Sequence, residues 1–290
     1  MNLADLIASH ARNRPTDPAL VEDGQTITCI EAEQRVSALA RWLHELGVRA
    51  GSVAGLCLRD SADHLLMHFA VARLAAVILP MDHRWSNAEK HDIARAFNAS
   101  VVIQEPGAEP LAGIRCAFLD KACASLPPAV LPAPLTDPSQ LLLISLSSGT
   151  TGRPKGAVVT HGQMYERFVN QWVTLSLNMS DRFICVTPLY FGAARSFCMS
   201  ALAAGGVVIL DPPPHDSGEL AAAINRSAAT VCFLVPTQMR RLLADAPEDG
   251  RLLLPRLRLL IFGGSIVGAD EALKIRGRLT PNLASYYATS

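Results

Sequence analysis

The chain has 290 residues, half of them hydrophobic, and its 26 basic side chains are balanced by 26 acidic ones. That length admits one large domain or two ordinary ones with a sizeable core. The charge balance removes the electrostatic case for nucleic acid or an anionic membrane as partner, but a local phosphate site needs only a few groups and stays open.

Taken in chain order, the opening stretch MNLADLIASHARNR carries Asp5 and no long apolar core, so it does not read as a signal peptide. No run of about 18 uncharged apolar residues follows, so no membrane-spanning helix is expected. Short aliphatic or β-branched runs predict strands over 52–58, 76–81, 100–104, 140–145, 182–187, 206–210, 230–235 and 257–262. Between them lie helical patterns. Over 61–75, Leu65, Phe69 and Ala72 share a face and Ser61 can cap the start; over 161–176, Met164, Phe168, Trp172 and Leu175 recur at helical spacing. Near-continuous apolar strands alternating with helices predict an α/β fold of layered, mostly parallel sheets flanked by helices. The stretch 126–138, with five prolines, reads as a connector. It suggests a first α/β subdomain over 1–138 and a second over 139–290, with strands free to be shared across the boundary. Seven cysteines, odd in number and without a CxxC pair, lie partly in apolar runs. They suggest a reduced, cytoplasmic chain. His64, His68 and His91 show no metal-ligand spacing, and the metal-binding residues are left unassigned.

One loop stands apart. SLSSGTTGRPKG, from Ser145 to Gly156, follows the apolar run 141–144 and holds five Ser or Thr hydroxyls, three glycines and Lys155. A strand leading into hydroxyls, close-approaching backbone N–H groups and a lysine suits a polyphosphate. The loop is not the Walker pattern of the common P-loop enzymes, because no Gly–Lys pair occurs and Gly156 follows Lys155. Further on, Gly263 and Gly264 follow an apolar strand, where open α/β sheets place ligand crevices. Ser265 is not a hydrolase nucleophile elbow, since position 267 is Val. Tyr286 and Tyr287 point to opposite faces if extended, and the residues alone leave open which one is core.

The segment Ser147-Ser148-Gly149-Thr150-Thr151-Gly152-Arg153-Pro154-Lys155-Gly156-Ala157, with Thr160-His161 after it, resembles the signature of the adenylate-forming superfamily. Acyl-CoA synthetases, peptide-synthetase adenylation domains and firefly luciferase are its members. The resemblance continues in Val77-Ile78-Leu79-Pro80-Met81-Asp82, in Pro188-Leu189-Tyr190-Phe191, in 258–265 and in Tyr287-Ala288-Thr289-Ser290. A register starting at Tyr286 would instead put Ser290 where the family has a glutamate. The resemblance implies ATP-dependent activation of a carboxylic acid through an acyl-adenylate, with transfer to a thiol such as coenzyme A, and Mg²⁺ on the phosphates. It implies that Ser147, Ser148, Gly149, Thr150, Thr151, Gly152 and Lys155 hold phosphate. It gives Gly263, Gly264, Ser265, Tyr287 and Ser290 to the adenylate and Tyr190 and Phe191 to the acyl group.

Two departures qualify it. Phe191 stands where many members carry His, which suggests a more apolar acid site. The family's Mg²⁺-linked glutamate, ribose-binding aspartate and small closing domain with its catalytic lysine would lie beyond Ser290. The chain is therefore expected to be an incomplete portion that makes little or no acyl-CoA alone, with a tendency to self-associate through exposed apolar surface. The rival reading is a non-catalytic nucleotide-binding or interaction fragment.

Overall fold

The computed structural model describes residues 2–127, 137–147, 155–213 and 215–287. In chain order, the elements of the first half are α1 (Ala4–Asn13), β1 (Pro18–Glu22), β2 (Gln25–Thr28), α2 (Cys29–Glu45), β3 (Val53–Cys57), α3 (Ala62–Arg73), β4 (Val77–Pro80), α4 (Asn87–Ala96), β5 (Ala99–Gln104) and β6 (Cys116–Phe118). Then come β7 (Leu141–Ser147), β8 (Lys155–Thr160), α5 (His161–Leu175), β9 (Arg182–Cys185), α6 (Gly192–Ala203), β10 (Val207–Leu210), α7 (Ser217–Arg226), β11 (Val231–Leu234), α8 (Pro236–Ala244), β12 (Leu259–Phe262), α9 (Ala269–Arg278) and β13 (Leu283–Ser285). The eight runs read as strands appear as β3, β4, β5, β7 and β9 to β12. The two helical patterns appear as α3 and α5. The expected α/β class, mostly parallel sheets flanked by helices, is the class observed.

Helix starts follow from local chemistry. Capping boxes close α2 (Thr28 with Glu31), α4 (Ser86 with Glu89) and α7 (Asp216 with Glu219), each satisfying N–H groups that a helix end otherwise leaves without partners. Ser61 caps α3, its Oγ accepting the His64 amide at 3.0 Å.

The described residues form two compact units: the first comprises those up to Pro18 and Ile27–Val169, the second Ala19–Thr26 and Asn170 to Tyr287. The first carries a six-stranded sheet in the order β6-β5-β3-β4-β7-β8. All its pairs are parallel except β7–β8, which is an antiparallel hairpin. Strands β7 and β8 lie after Pro138 in the chain, and β7 joins the sheet beside β4. Val77, Leu79, Val102 and Ile144 meet Ala94 of α4 in its core, with Ile93 and Phe97 packed alongside.

The second unit carries a seven-stranded sheet in the order β13-β12-β11-β9-β10-β1-β2. Strands β10 and β11 are buried along their whole length, as expected where helices cover both faces. Side chains alternate accordingly. Ile184, Cys232, Leu234 and Leu260 pack with Leu220 and Ile224 of α7, Met239 and Leu242 of α8, and Ile275 of α9. Phe183 and Phe233, one position out of step, stack with Phe197 of α6. All seven cysteines are free thiols.

Candidate functional site

In the first unit the hydroxyl- and glycine-rich motif joins β7 to β8. Ser147 and Lys155 are direct partners across the hairpin, so the motif leaves and re-enters the sheet at one point. Lys155 opens β8 and is exposed. Ser148, Gly149, Thr150, Thr151 and Gly152 lie outside the described residues, as does the side chain of Ser147. Gly156 has a packing reason to be glycine. A Cβ there would lie 2.5 Å from Ile144 Cγ2 and 2.9 Å from Phe97 Cε1, inside contact distance. His161, one residue past β8, is buried, and its Nδ1 accepts the Leu3 amide at 3.3 Å. Burial pushes its pKa down to about 4.

Because β3, β4, β5 and β7 are parallel, their exits share one edge with the motif. Asp82, just after β4, is buried and accepts the Arg84 amide at 2.9 Å and its Nη2 at 2.8 Å. His83 between them is held below the usual imidazole range, burial outweighing Asp82. Past β5, Glu105 accepts the Arg59 amide at 2.7 Å. Among the described residues, no group of three or more His, Cys, Asp or Glu side chains is placed to hold a metal ion.

In the second unit β9, β11, β12 and β13 run parallel, so their carboxyl ends also share an edge. Pro188, Leu189, Tyr190 and Phe191 leave β9, Gly263, Gly264 and Ser265 leave β12, and Tyr286 and Tyr287 leave β13. The strands thus collect both sequence-derived groups, those for the adenylate and those for the acid, at the edge where open α/β sheets bind ligands. Gly263 is buried beneath the chain leaving β13: a Cβ there would sit 2.5 Å from the Tyr286 carbonyl oxygen. Tyr286 turns inward, its ring 5.0 Å from that of Phe197 in an edge-on contact. Tyr287 is 89% exposed. The register of β13 therefore separates an inward-packed, half-buried tyrosine from an exposed one. Ser265 is exposed, and Ser290 lies outside the described residues.

Tyr190 and Phe191 pack on each other with ring centroids 4.1 Å apart, and Phe191 is 46% exposed. Arg195 joins them from α6. It is only 2% exposed, and its Nη1 donates to the carbonyls of Leu189 at 3.1 Å and Tyr190 at 2.8 Å. The sequence reading passed over this arginine. The one available signal was a charge set among small and apolar residues of a helix.

Gly263→Ala should lower stability by about 1–3 kcal/mol, because the obstructing atom is a backbone carbonyl that no rotamer change can move. Urea unfolding measures the loss; an unchanged midpoint would show that β12 and β13 part without cost.

The profile of the AMP-binding enzyme family matches residues 7–290. The chain belongs to that family. Feruloyl-CoA synthase of Amycolatopsis sp is 33% identical over 92% of this chain and 55% of its own length. Indoleacetate–CoA ligase of Aromatoleum aromaticum is 28% identical over 100% of this chain and 60% of its own. The N-terminal domain of FACL13 from Mycobacterium tuberculosis, at 22% identity, superposes with a TM-score of 0.87 over 99% of this chain and 76% of its own, a likeness of fold. The chain spans a little over half the length of these two curated relatives.

Proposed function

We propose that this AMP-binding family member activates an aromatic carboxylic acid with ATP. A carboxylate oxygen attacks the α-phosphorus, the bond to the bridging oxygen breaks, and pyrophosphate leaves, giving an acyl-adenylate. The thiol of coenzyme A then attacks the acyl carbon and AMP departs. The observation that carries the reading is the family match together with the motif as the connection of a hairpin whose ends, Ser147 and Lys155, pair directly.

Each group has a physical task in this reading. Ser147, Ser148, Gly149, Thr150, Thr151, Gly152 and Lys155 hold the β- and γ-phosphates through hydroxyls, amides and one ammonium, stabilising the departing pyrophosphate. Gly263, Gly264, Ser265, Tyr287 and Ser290 hold the adenylate, with the exposed Tyr287 ring offering a face to adenine. Tyr190 and Phe191 border the acid. Mg²⁺ would accompany the phosphates and neutralise their charge; with no acidic cluster among the described residues, no step is assigned to it. The aromatic class of acid is supported by Phe191, exposed after β9 and packed at a tilt against Tyr190, and by relatives named for feruloyl and indoleacetate. The free thiols favour a cytoplasmic setting.

Acid-dependent exchange of labelled pyrophosphate into ATP tests the reading. We expect exchange with arylpropenoic or arylacetic acids and weaker exchange with short aliphatic or dicarboxylic acids. Nucleotide binding with no exchange for any acid would favour a non-catalytic nucleotide-binding role.

A further inference from the structure

We propose that Arg195 is a positioning residue for acid recognition, holding the Leu189 and Tyr190 carbonyls so that the Tyr190–Phe191 pair keeps one orientation at the carboxyl edge of the second sheet. The proposal rests on the reading that this edge takes the acid. Arg195 is in a poor place for a cation. It lies in the first turn of α6 (Gly192–Ala203), where the helix dipole disfavours positive charge, and it is 2% exposed, so its hydration is lost. An apolar side chain would fill the same space without either penalty. What a guanidinium adds is its charge-assisted hydrogen bonding, and Nη1 spends it on two consecutive carbonyls, those of Leu189 and Tyr190.

Those carbonyls belong to the segment that turns the chain from β9 into α6. Phe191 is the N-cap of α6 and makes no side-chain cap hydrogen bond. The ring pair therefore sits on a helix entry that lacks the usual side-chain anchor and has a buried arginine on its carbonyls instead. Loosening that anchor changes where the two rings stand and leaves the nucleotide groups after β12 and β13 in place. Misplacement of a binding group by about 1 Å is enough to cost up to a hundredfold in function.

The test is acid-dependent ATP–pyrophosphate exchange with an arylpropenoic acid as probe, run on the full chain and on Arg195→Met and Arg195→Lys, with thermal melting of each. Arg195→Met should raise the KM for the acid by about ten- to hundredfold while the KM for ATP changes less than about twofold. Arg195→Lys, whose ammonium can reach one carbonyl but lacks the fork, should fall between. If Arg195→Met does not fold, the lysine variant carries the test by the same split between the two KM values. An unchanged acid KM in a folded variant, or equal rises for acid and ATP alongside a lower melting temperature, overturns the proposal. Absence of acid-dependent exchange in the unaltered chain is a different result: it removes the functional reading on which the proposal stands.

Discussion

Arg258→Met should destabilise the second unit by about 3 kcal/mol, at the low end of the roughly 3–5 kcal/mol for stripping a buried charge of its partner, since the carboxylate is buried but Arg258 itself is 35% exposed. Asp181 precedes β9, Thr230 precedes β11 and Arg258 precedes β12, so their side chains gather at the amino edge of the sheet. Arg258 Nε donates to Asp181 Oδ1 at 2.6 Å and its Nη2 to Oδ2, a two-point pair on a carboxylate that is only 4% exposed. Thr230 donates to the same carboxylate at 2.8 Å and the Asn178 amide at 3.0 Å. Those two donors remain in the variant, a second reason for the low end of the range. Burial raises the Asp181 pKa, but the hydrogen bonds from Arg258, Thr230 and Asn178 together outweigh it and hold the carboxyl below its ordinary 3.8. A lowered carboxylate pKa contributes stability above 3.8 that is lost as pH falls below it. Urea unfolding at pH 7 should show the loss, and in a folded sample nucleotide affinity should not change, because the pair sits at the edge away from the strand exits. A loss under about 1 kcal/mol would reduce the pair to the rank of an ordinary surface bridge.

His161 predicts an acid-sensitive first unit in a separate pH window. Its folded pKa, about 4, lies below its ordinary 6.5, chiefly because burial disfavours the charged ring. Between those values the unfolded chain binds the extra proton and the folded one does not. Stability is therefore fully present above 6.5 and declines as pH falls toward 4. At about 1.4 kcal/mol per pKa unit the full effect is at most ~3.5 kcal/mol. The geometry agrees with the direction: Nδ1 accepts the Leu3 amide, a bond that protonation at Nδ1 would end. His161→Gln keeps an acceptor but removes the titration. Melting curves at pH 7 and 4.5 should converge in that variant and diverge in the unaltered chain. Equal pH dependence in both would place the titrating group elsewhere.

The strands were legible where helices cover both faces of a sheet, because burial along the whole of β4, β10 and β11 leaves an unbroken apolar run. Strand β8 was not, since only Val159 of its six residues is buried and its opening Lys155-Gly156 reads as loop. At three residues each, β6 and β13 carry too little pattern to register. The motif itself was readable because five hydroxyls, three glycines and Lys155 are concentrated in one short segment. Which tyrosine packs inward depended on how β13 leaves the sheet: Tyr286 meets Phe197 edge-on, while Tyr287 is exposed. Arg195 and the Asp181–Arg258 pair escaped for a common reason: their meaning lies in partners the chain supplies elsewhere, in the second case 77 residues away.

The account turns on Lys155 and its motif taking the outer phosphates of a nucleotide, and comparing ATP with AMP measures that most directly. Calorimetry at matched ionic strength, on the unaltered chain and on Lys155→Ala, gives four affinities. A charge-assisted hydrogen bond of about 1.5–3 kcal/mol predicts that the variant binds ATP roughly tenfold to a hundredfold more weakly. AMP, which lacks the β- and γ-phosphates, should bind both proteins alike. Unchanged ATP affinity, or equal losses for ATP and AMP, would contradict the assignment of the hairpin motif to the departing pyrophosphate.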